Sequence, residues 1–177
     1  LENVMSTRNA AKTLVVISSK SFNTPEVMEN ANKAKDWLES VVGDHCWDQI
    51  IGISSNKEAM TEFGIEDANQ FEILDSVGGR YSIWSSISLP TIVDMGWKGY
   101  EEFLEGAYEA DKHFRNNPWD QNIPVLMALL SVWNLNGLSI NNLGIFSYDF
   151  KIRSLTKYLV QMGMESNGKA YDLDGRK

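Results

Sequence analysis

Short apolar segments that alternate with helical patterns are the feature that most limits what this chain folds into. TLVVISS (13–19), QIIGIS (49–54) and FEIL (71–74) are rich in β-branched or apolar residues, as buried strands are. Helical patterns separate them, so each pair of strands needs a crossover connection. We therefore predict an α/β fold with parallel sheets flanked by helices.

The connections between these strands carry clear helix signals. Thr24 is a good N-cap and Pro25 suits the first helical position, so a helix is predicted from there to about Val42. A shorter helix is predicted from Asn56 to Phe63.

After Ser85 the pattern changes to consecutive helices, predicted at 85–95, 98–115 and 121–136. LGIFSY (143–148) then reads as a late strand, followed by a helix over 150–164 with a buried stripe. We predict parts of two domains, with residues 1–93 in the first and 94–177 in the second. Three strands are few for the sheet of the first domain, and the single strand of the second domain cannot form a sheet. We therefore expect the chain to be a central fragment of a longer protein.

Charge and cysteine content exclude several classes of protein. A net charge of −8 argues against nucleic-acid and anionic-membrane binding, although a few local donors can still hold a small anion. The uncharged run 123–144 contains a proline and several asparagines, so it is predicted to be a buried helix and a loop rather than a membrane span. The single cysteine, Cys46, and the lack of a secretory signal pattern favour a reducing, cytoplasmic location.

The first candidate site is SSKSFNTPE (18–26), which lies between a strand end and a helix start. Ser19, Ser21 and Thr24 supply hydroxyls and Lys20 supplies an ammonium group. Helix amides together with such donors can bind phosphate. An ordinary capped loop with a solvated lysine remains the alternative.

The second candidate site is SVGGRYS (76–82), directly after the third strand. Two glycines, Gly78 and Gly79, permit close approach of a ligand, and they hold Arg80 on a short tether at the sheet edge. A turn with a surface arginine is about as probable on this pattern alone.

The third candidate site is QMGMESNGK (161–169). Gln161 and Glu165 are four residues apart and share one face of the predicted helix, which Gly168 is expected to end. Glu165 is a candidate general base, and an exposed glutamate at a frayed helix end is the alternative. His45 is predicted to be solvated and His113 to be structural, and no cluster of residues has metal-ligand spacing.

Together these segments resemble the glucose-6-phosphate isomerase (phosphoglucose isomerase) family, from Thr13 to Lys169. ISSKSFNTPE resembles the family's phosphate loop, DSVGGRYSIWSSIS a family signature, and MESNGK its catalytic glutamate segment. The resemblance implies three-layer αβα sugar isomerase domains. It also implies a cofactor-free and metal-free interconversion of glucose 6-phosphate and fructose 6-phosphate, as in glycolysis and gluconeogenesis, by a cytoplasmic homodimer.

The resemblance also implies roles for individual residues. Ser19, Lys20, Ser21 and Thr24 would bind the phosphate, and Gln161 would bind and orient the sugar. Catalysis would fall to two residues: Glu165 would move the proton between C2 and C1, and Arg80 would stabilise the enediolate.

Parts of the family pattern are missing from this sequence. The upstream glycine-rich segment, the downstream histidine and the C-terminal lysine are absent, so little or no activity is expected from the chain alone. Two alternatives remain. One is a non-catalytic sugar-phosphate-binding domain. The other is a helical interaction module over 97–138 whose exposed aromatic residues contact a partner, namely Trp97, Tyr100, Phe103 and Trp119.

Overall fold

The computed structural model describes residues 1–171 and 173–176, and its first 75 residues contain a three-stranded parallel sheet. The strands are β1 (Val15–Ser18), β2 (Ile50–Ser54) and β3 (Gln70–Glu72). The helices are α1 (Glu2–Met5), α2 (Pro25–Val42), α3 (Lys57–Phe63), α4 (Leu89–Asn116), α5 (Ile123–Val132) and α6 (Leu155–Asn167). Short 3₁₀ segments connect several of them, including Gly43–Gln49 and Gly79–Trp84.

The sheet runs in the order β1-β2-β3, and both pairings are parallel. Val15 pairs with Ile50 at the start of β1, and Gly52 pairs with Gln70 at the start of the second pairing. All carboxyl ends therefore lie at one edge of the sheet, which brings the segments that follow β1, β2 and β3 together. The predicted parallel sheet flanked by helices is confirmed.

The hydrophobic core lies between this sheet and its helices. Ala31, Ala34 and Leu38 recur at helical spacing on α2, and all three are buried. They share the core with strand residues such as Ile17 and Ile50. The apolar spacing that predicted α2 is thus the face that α2 buries.

Gly52 shows how closely a helix approaches the sheet. A Cβ atom at this position would lie 2.8 Å from Met60 Sδ and 2.9 Å from Ile65 Cδ1. A larger residue would force the buried Met60 and Ile65 side chains to shift, so the glycine in the apolar run of β2 allows their close packing.

The described structure separates into two compact units, unit 1 (1–101) and unit 2 (102–177). The helices predicted at 85–95 and 98–115 are joined in α4, which is interrupted at Gly96 by a positive φ of 77°. The assignment of residues 1–93 and 94–177 to two sugar isomerase domains remains a prediction.

The predicted late strand at 143–148 is wrong. Within the described residues these positions form neither a strand nor a second sheet. A strand is stabilised by ladder hydrogen bonds to a neighbour, and no described strand lies in unit 2 to provide them. A β-branched or aromatic composition is therefore insufficient here.

The predicted burial in unit 2 is also wrong. Ile123 and Leu130 of α5 are 60% and 59% exposed, and Ile152 and Leu155 of the predicted stripe are 49% and 43% exposed. These apolar residues have the right spacing but no sheet within their unit against which to pack. No described helix combines the length and apolar character needed to cross a membrane.

The proposed set of exposed aromatic residues needs one correction. Tyr100 is buried at 4% exposure, and its hydroxyl donates to the Ile83 carbonyl oxygen at 3.1 Å. Trp97 and Trp119 are exposed as predicted, at 63% and 79%. Tyr100 belongs to the packing of unit 1 and offers little surface to a partner.

Candidate active site

The segment after β1, residues 18–24, is called the hydroxyl loop below. It runs from the end of β1 to Thr24, the residue before α2, as the sequence predicted. Ser19 is 8% exposed, and its Oγ lies 3.2 Å from Thr24 Oγ1. The Thr24 hydroxyl thus bonds across the loop and does not cap a helix amide. Two hydroxyls are held side by side next to the first turn of α2.

Phe22 anchors this loop to the core. Its φ of 52° is unusual for a residue with a side chain, and its ring is 2% exposed. The ring meets Phe63 edge to face, with centroids 5.9 Å apart. Burial of the ring compensates for the strained backbone, so the loop conformation is tightly determined.

Two serines at the end of β2 hold the hydroxyl loop from the other side. The Oγ atoms of Ser54 and Ser55 each donate to the Lys20 carbonyl oxygen at 2.8 Å, and the Ser55 amide donates to it at 3.0 Å. Ser54 is fully buried. These serines were not among the predicted site residues, although a pair of hydroxyls at the end of a predicted strand could have signalled them.

The segment after β3, residues 75–80, is called the glycine turn below. Gly78 has ordinary angles of φ −69° and ψ 145°, so its conformation does not require glycine. A Cβ at Gly79 would meet no atom within 4 Å, and one at Gly78 would only reach the Tyr81 ring at 3.7 Å. The glycines therefore leave open space, which fits the predicted close approach of a ligand. Arg80 follows at the start of a 3₁₀ helix and is half-buried.

Lys20 joins the hydroxyl loop to the glycine turn. Its Nζ donates to the Asp75 carbonyl oxygen at 2.8 Å and to the Val77 carbonyl oxygen at 3.0 Å. All four predicted phosphate ligands thus lie at the same sheet edge as the turn that carries Arg80. The Ser21 hydroxyl donates within the loop to Asn23 Oδ1.

Gln161 and Glu165 lie on α6 in unit 2, and they line one shallow depression of about 650 Å³. Lys157, Val160 and Met164 complete its wall. The predicted shared face is confirmed.

The helix spans Leu155–Asn167 instead of the predicted 150–164, and Gly168 is its C-cap as predicted. A Cβ at Gly168 would lie 2.5 Å from the Met164 carbonyl oxygen, so crowding requires the glycine. Lys169 Nζ donates to the Glu165 carbonyl oxygen at 3.0 Å, a contact in the last turn of the helix.

The remaining reactive residues have structural environments. His113 Nε2 accepts the Ile123 amide at 3.0 Å, which confirms its predicted structural role. Cys46 is buried, and desolvation raises the pKa of its thiol, so it is unsuited to be a nucleophile. Among the described residues, no group of three or more His, Cys, Asp or Glu side chains could hold a metal ion.

A family model described as phosphoglucose isomerase matches residues 1–177. The chain belongs to the phosphoglucose isomerase family. It is 45% identical over 168 residues to glucose-6-phosphate isomerase from Acinetobacter baumannii and 46% identical over 168 residues to that from Pseudomonas putida. These matches cover 93% and 94% of the chain and 30% of each relative.

A solved structure agrees with this assignment. The crystal structure of a glucose-6-phosphate isomerase from Chlamydia trachomatis superposes with a TM-score of 0.88 at 29% identity. The match covers 99% of this chain and 34% of that protein. The chain thus spans about a third of the length of the phosphoglucose isomerases that it resembles, and the predicted family and fold class are confirmed.

Proposed function

We propose that the chain carries part of the active site of a glucose-6-phosphate isomerase, which interconverts glucose 6-phosphate and fructose 6-phosphate without a metal or an organic cofactor. The observation that carries this proposal is the meeting of the hydroxyl loop and the glycine turn at the carboxyl edge of the sheet, linked by Lys20. Membership of the phosphoglucose isomerase family supports the choice of substrate.

The hydroxyl loop suits the phosphate group of such a substrate. Ser19, Ser21 and Thr24 offer hydroxyls next to the start of α2, whose amides and dipole favour an anion. In this proposal the three hydroxyls hold the phosphate, Lys20 ties their loop to the glycine turn, and Gln161 binds the sugar chain. The negative phosphate is thereby fixed at the sheet edge while the sugar carbons react.

The proposed chemistry is a proton transfer between neighbouring carbons. With glucose 6-phosphate in its open form, the Glu165 carboxylate takes the proton from C2, and the C2–H electrons form a C1–C2 double bond. The C1 carbonyl oxygen becomes anionic, and Arg80 stabilises this charge. Glu165 then returns the proton to C1, while the C2 hydroxyl passes its proton to the anionic C1 oxygen and becomes the ketone.

Solvent-deuterium incorporation tests this proposal directly. Fructose 6-phosphate is incubated with the chain in D₂O and followed by proton NMR at C1 and C2. Complete turnover is not expected of the chain alone, but this partial site can still exchange protons. We expect exchange that disappears in Glu165→Gln and persists in Glu102→Gln, a matched change at an exposed glutamate of α4. Arg80→Gln should slow the exchange about 10²–10³-fold.

The opposite outcome identifies the alternative. If phosphate binds but no exchange occurs in the unchanged chain, the chain binds phosphate without a competent proton-transfer site, and the same variants are then tested in the whole enzyme. Lack of exchange there as well identifies a non-catalytic sugar-phosphate-binding domain. For the whole enzyme we also propose a cytoplasmic homodimer, and sedimentation of the whole enzyme checks its dimeric state.

A further inference from the structure

The ammonium group of Lys20 contacts main-chain oxygens of a distant segment. Its acceptors, the carbonyl oxygens of Asp75 and Val77, lie 55 and 57 residues further along the chain. An ammonium group has three donors, and two are used here. Both contacts are exposed to solvent, and the charge of the donor makes them stronger than neutral hydrogen bonds in the same place.

The main chain at Lys20 is itself fixed. Its carbonyl oxygen accepts three hydrogen bonds from Ser54 and Ser55 at the end of β2. The Ser19 amide donates to the Ile53 carbonyl oxygen at 3.1 Å. The starting point of the Lys20 side chain is therefore set by the central strand, and the ammonium group reaches the glycine turn from a rigid base.

The glycine turn transmits this constraint to Arg80. The Val77 amide donates to the Leu74 carbonyl oxygen at 2.9 Å, and the Tyr81 amide donates to the Gly78 carbonyl oxygen at 3.0 Å. Gly78 and Gly79 open the second of these turns, and Arg80 follows within it. The Lys20 contacts thus lie in the turn directly before the one that contains Arg80.

We propose that Lys20 is a positioning residue that acts through the glycine turn on Arg80, an inference that rests on the proposed function. Lys20 holds the two carbonyls that precede the glycines and so fixes the distance between the phosphate seat and the guanidinium group. The proposed reaction develops negative charge on the sugar oxygens, so this distance must stay constant. Misplacement of a stabilising group by about 1 Å can cost about 10²-fold in rate.

A direct phosphate ligand and a positioning residue predict different binding patterns. If Lys20 mainly bound phosphate, its loss would weaken every phosphate-containing ligand to the same degree. If Lys20 mainly positions Arg80, its loss weakens only ligands whose negative charge lies where Arg80 acts. Two probes separate these roles: inorganic phosphate, and a sugar-acid phosphate whose carboxylate mimics the enediolate.

The experiment measures the affinity of both probes by calorimetry for the chain and for Lys20→Met. We expect the sugar-acid phosphate to bind about 10–100-fold more weakly to the variant, with inorganic phosphate changed less than about twofold. Lys12→Met, a change at an exposed lysine before β1, is the matched control and should alter neither affinity. Equal loss for both probes overturns the proposal and leaves the proposed function intact.

A double-mutant cycle with Arg80→Met tests the route of the effect. Because Lys20 acts through Arg80, Lys20→Met should weaken binding of the sugar-acid phosphate little further in the Arg80→Met background. Additive losses would contradict the proposal.

Lys20→Arg provides a second variant, useful if Lys20→Met does not fold. Arginine binds phosphate at least as well as lysine but has a longer, planar head. A direct ligand predicts unchanged or tighter binding of both probes, whereas the positioning role predicts selective loss of the sugar-acid phosphate. If the unchanged chain binds neither probe, the proposed function fails and this inference fails with it.

Discussion

Unit 1 and unit 2 contain similar apolar segments but bury them very differently. Every buried hydrophobic residue of the described structure lies between Ala10 and Tyr100, in unit 1. Among the described residues of unit 2, only Asn122 is buried, and it is polar. A sheet offers a continuous surface on which helices pack, whereas α5 is apolar all round and has no such surface within its unit. Apolar composition alone does not make a core.

Removing a leucine from each unit tests this contrast most strongly. Leu38→Ala in α2 should lower the free energy of unfolding by about 2–5 kcal/mol, because Leu38 is 0% exposed and a cavity would remain. Leu130→Ala in α5, where the leucine is 59% exposed, should change it by less than about 0.5 kcal/mol. Urea unfolding followed by circular dichroism measures both, and equal losses would show that unit 2 also has a core.

Glycine substitutions should have opposite signs in the two units. Gly64 has φ 108°, and an added Cβ would lie 2.7 Å from the Trp47 ring, so Gly64→Ala should destabilise unit 1 by about 1–3 kcal/mol. Gly106 lies in α4 with open space around it, so Gly106→Ala should stabilise by about 0.5–1 kcal/mol. Thermal unfolding of both variants checks the signs, and a destabilised Gly106→Ala would break the comparison.

Two asparagine caps allow unit 1 and unit 2 to be compared at single hydrogen bonds. Asn56 Oδ1 accepts the Ala59 amide at 3.0 Å at the start of α3, and Asn122 Oδ1 accepts the Val125 amide at 3.3 Å at the start of α5. Asn122 Nδ2 also donates to the Phe114 carbonyl oxygen at 2.7 Å.

Alanine at either position should cost about 0.5–2 kcal/mol. The larger loss is expected at Asn122, because Asn122 is buried whereas Asn56 is exposed. Amide hydrogen exchange in α3 and α5 measures the local loss. A larger loss at Asn56 would contradict this order.

The smallest expected effect is electrostatic. A hydrogen bond from Lys33, together with its charge, lowers the pKa of the Glu29 carboxyl on α2 from its ordinary value of 4.5. Because the folded pKa is the lower one, this pair stabilises the fold above the unfolded pKa and loses its effect as the pH falls through the folded pKa.

Both side chains are exposed, so the contribution to stability should be close to the limit of measurement. NMR titration of Glu29 in Lys33→Met should show its pKa return toward the ordinary value. An unchanged titration would show that the pair is not formed in solution.

Much of unit 1 could be predicted from local patterns. The β-branched runs gave β1 and β2 to within two residues, and Thr24 with Pro25 gave the start of α2. Such signals depend on neighbours in sequence, because strand and helix periodicities and caps are local properties. The same reasoning found the hydroxyl loop, Arg80 and the end of α6 at Gly168, and a family resemblance supplied their proposed roles.

The sequence by itself determined the order of elements in unit 1, the segments at its sheet edge and the family to which the chain belongs. Only the tertiary structure decided that residues 143–148 form no strand, that Tyr100 is buried, and that the Lys20 ammonium contacts the Asp75 and Val77 carbonyls. The physical reason is the same in each case. Strand pairing, burial and these hydrogen bonds depend on which distant groups meet in space. Every residue has a main-chain carbonyl, so the sequence does not indicate which carbonyls accept a side-chain hydrogen bond.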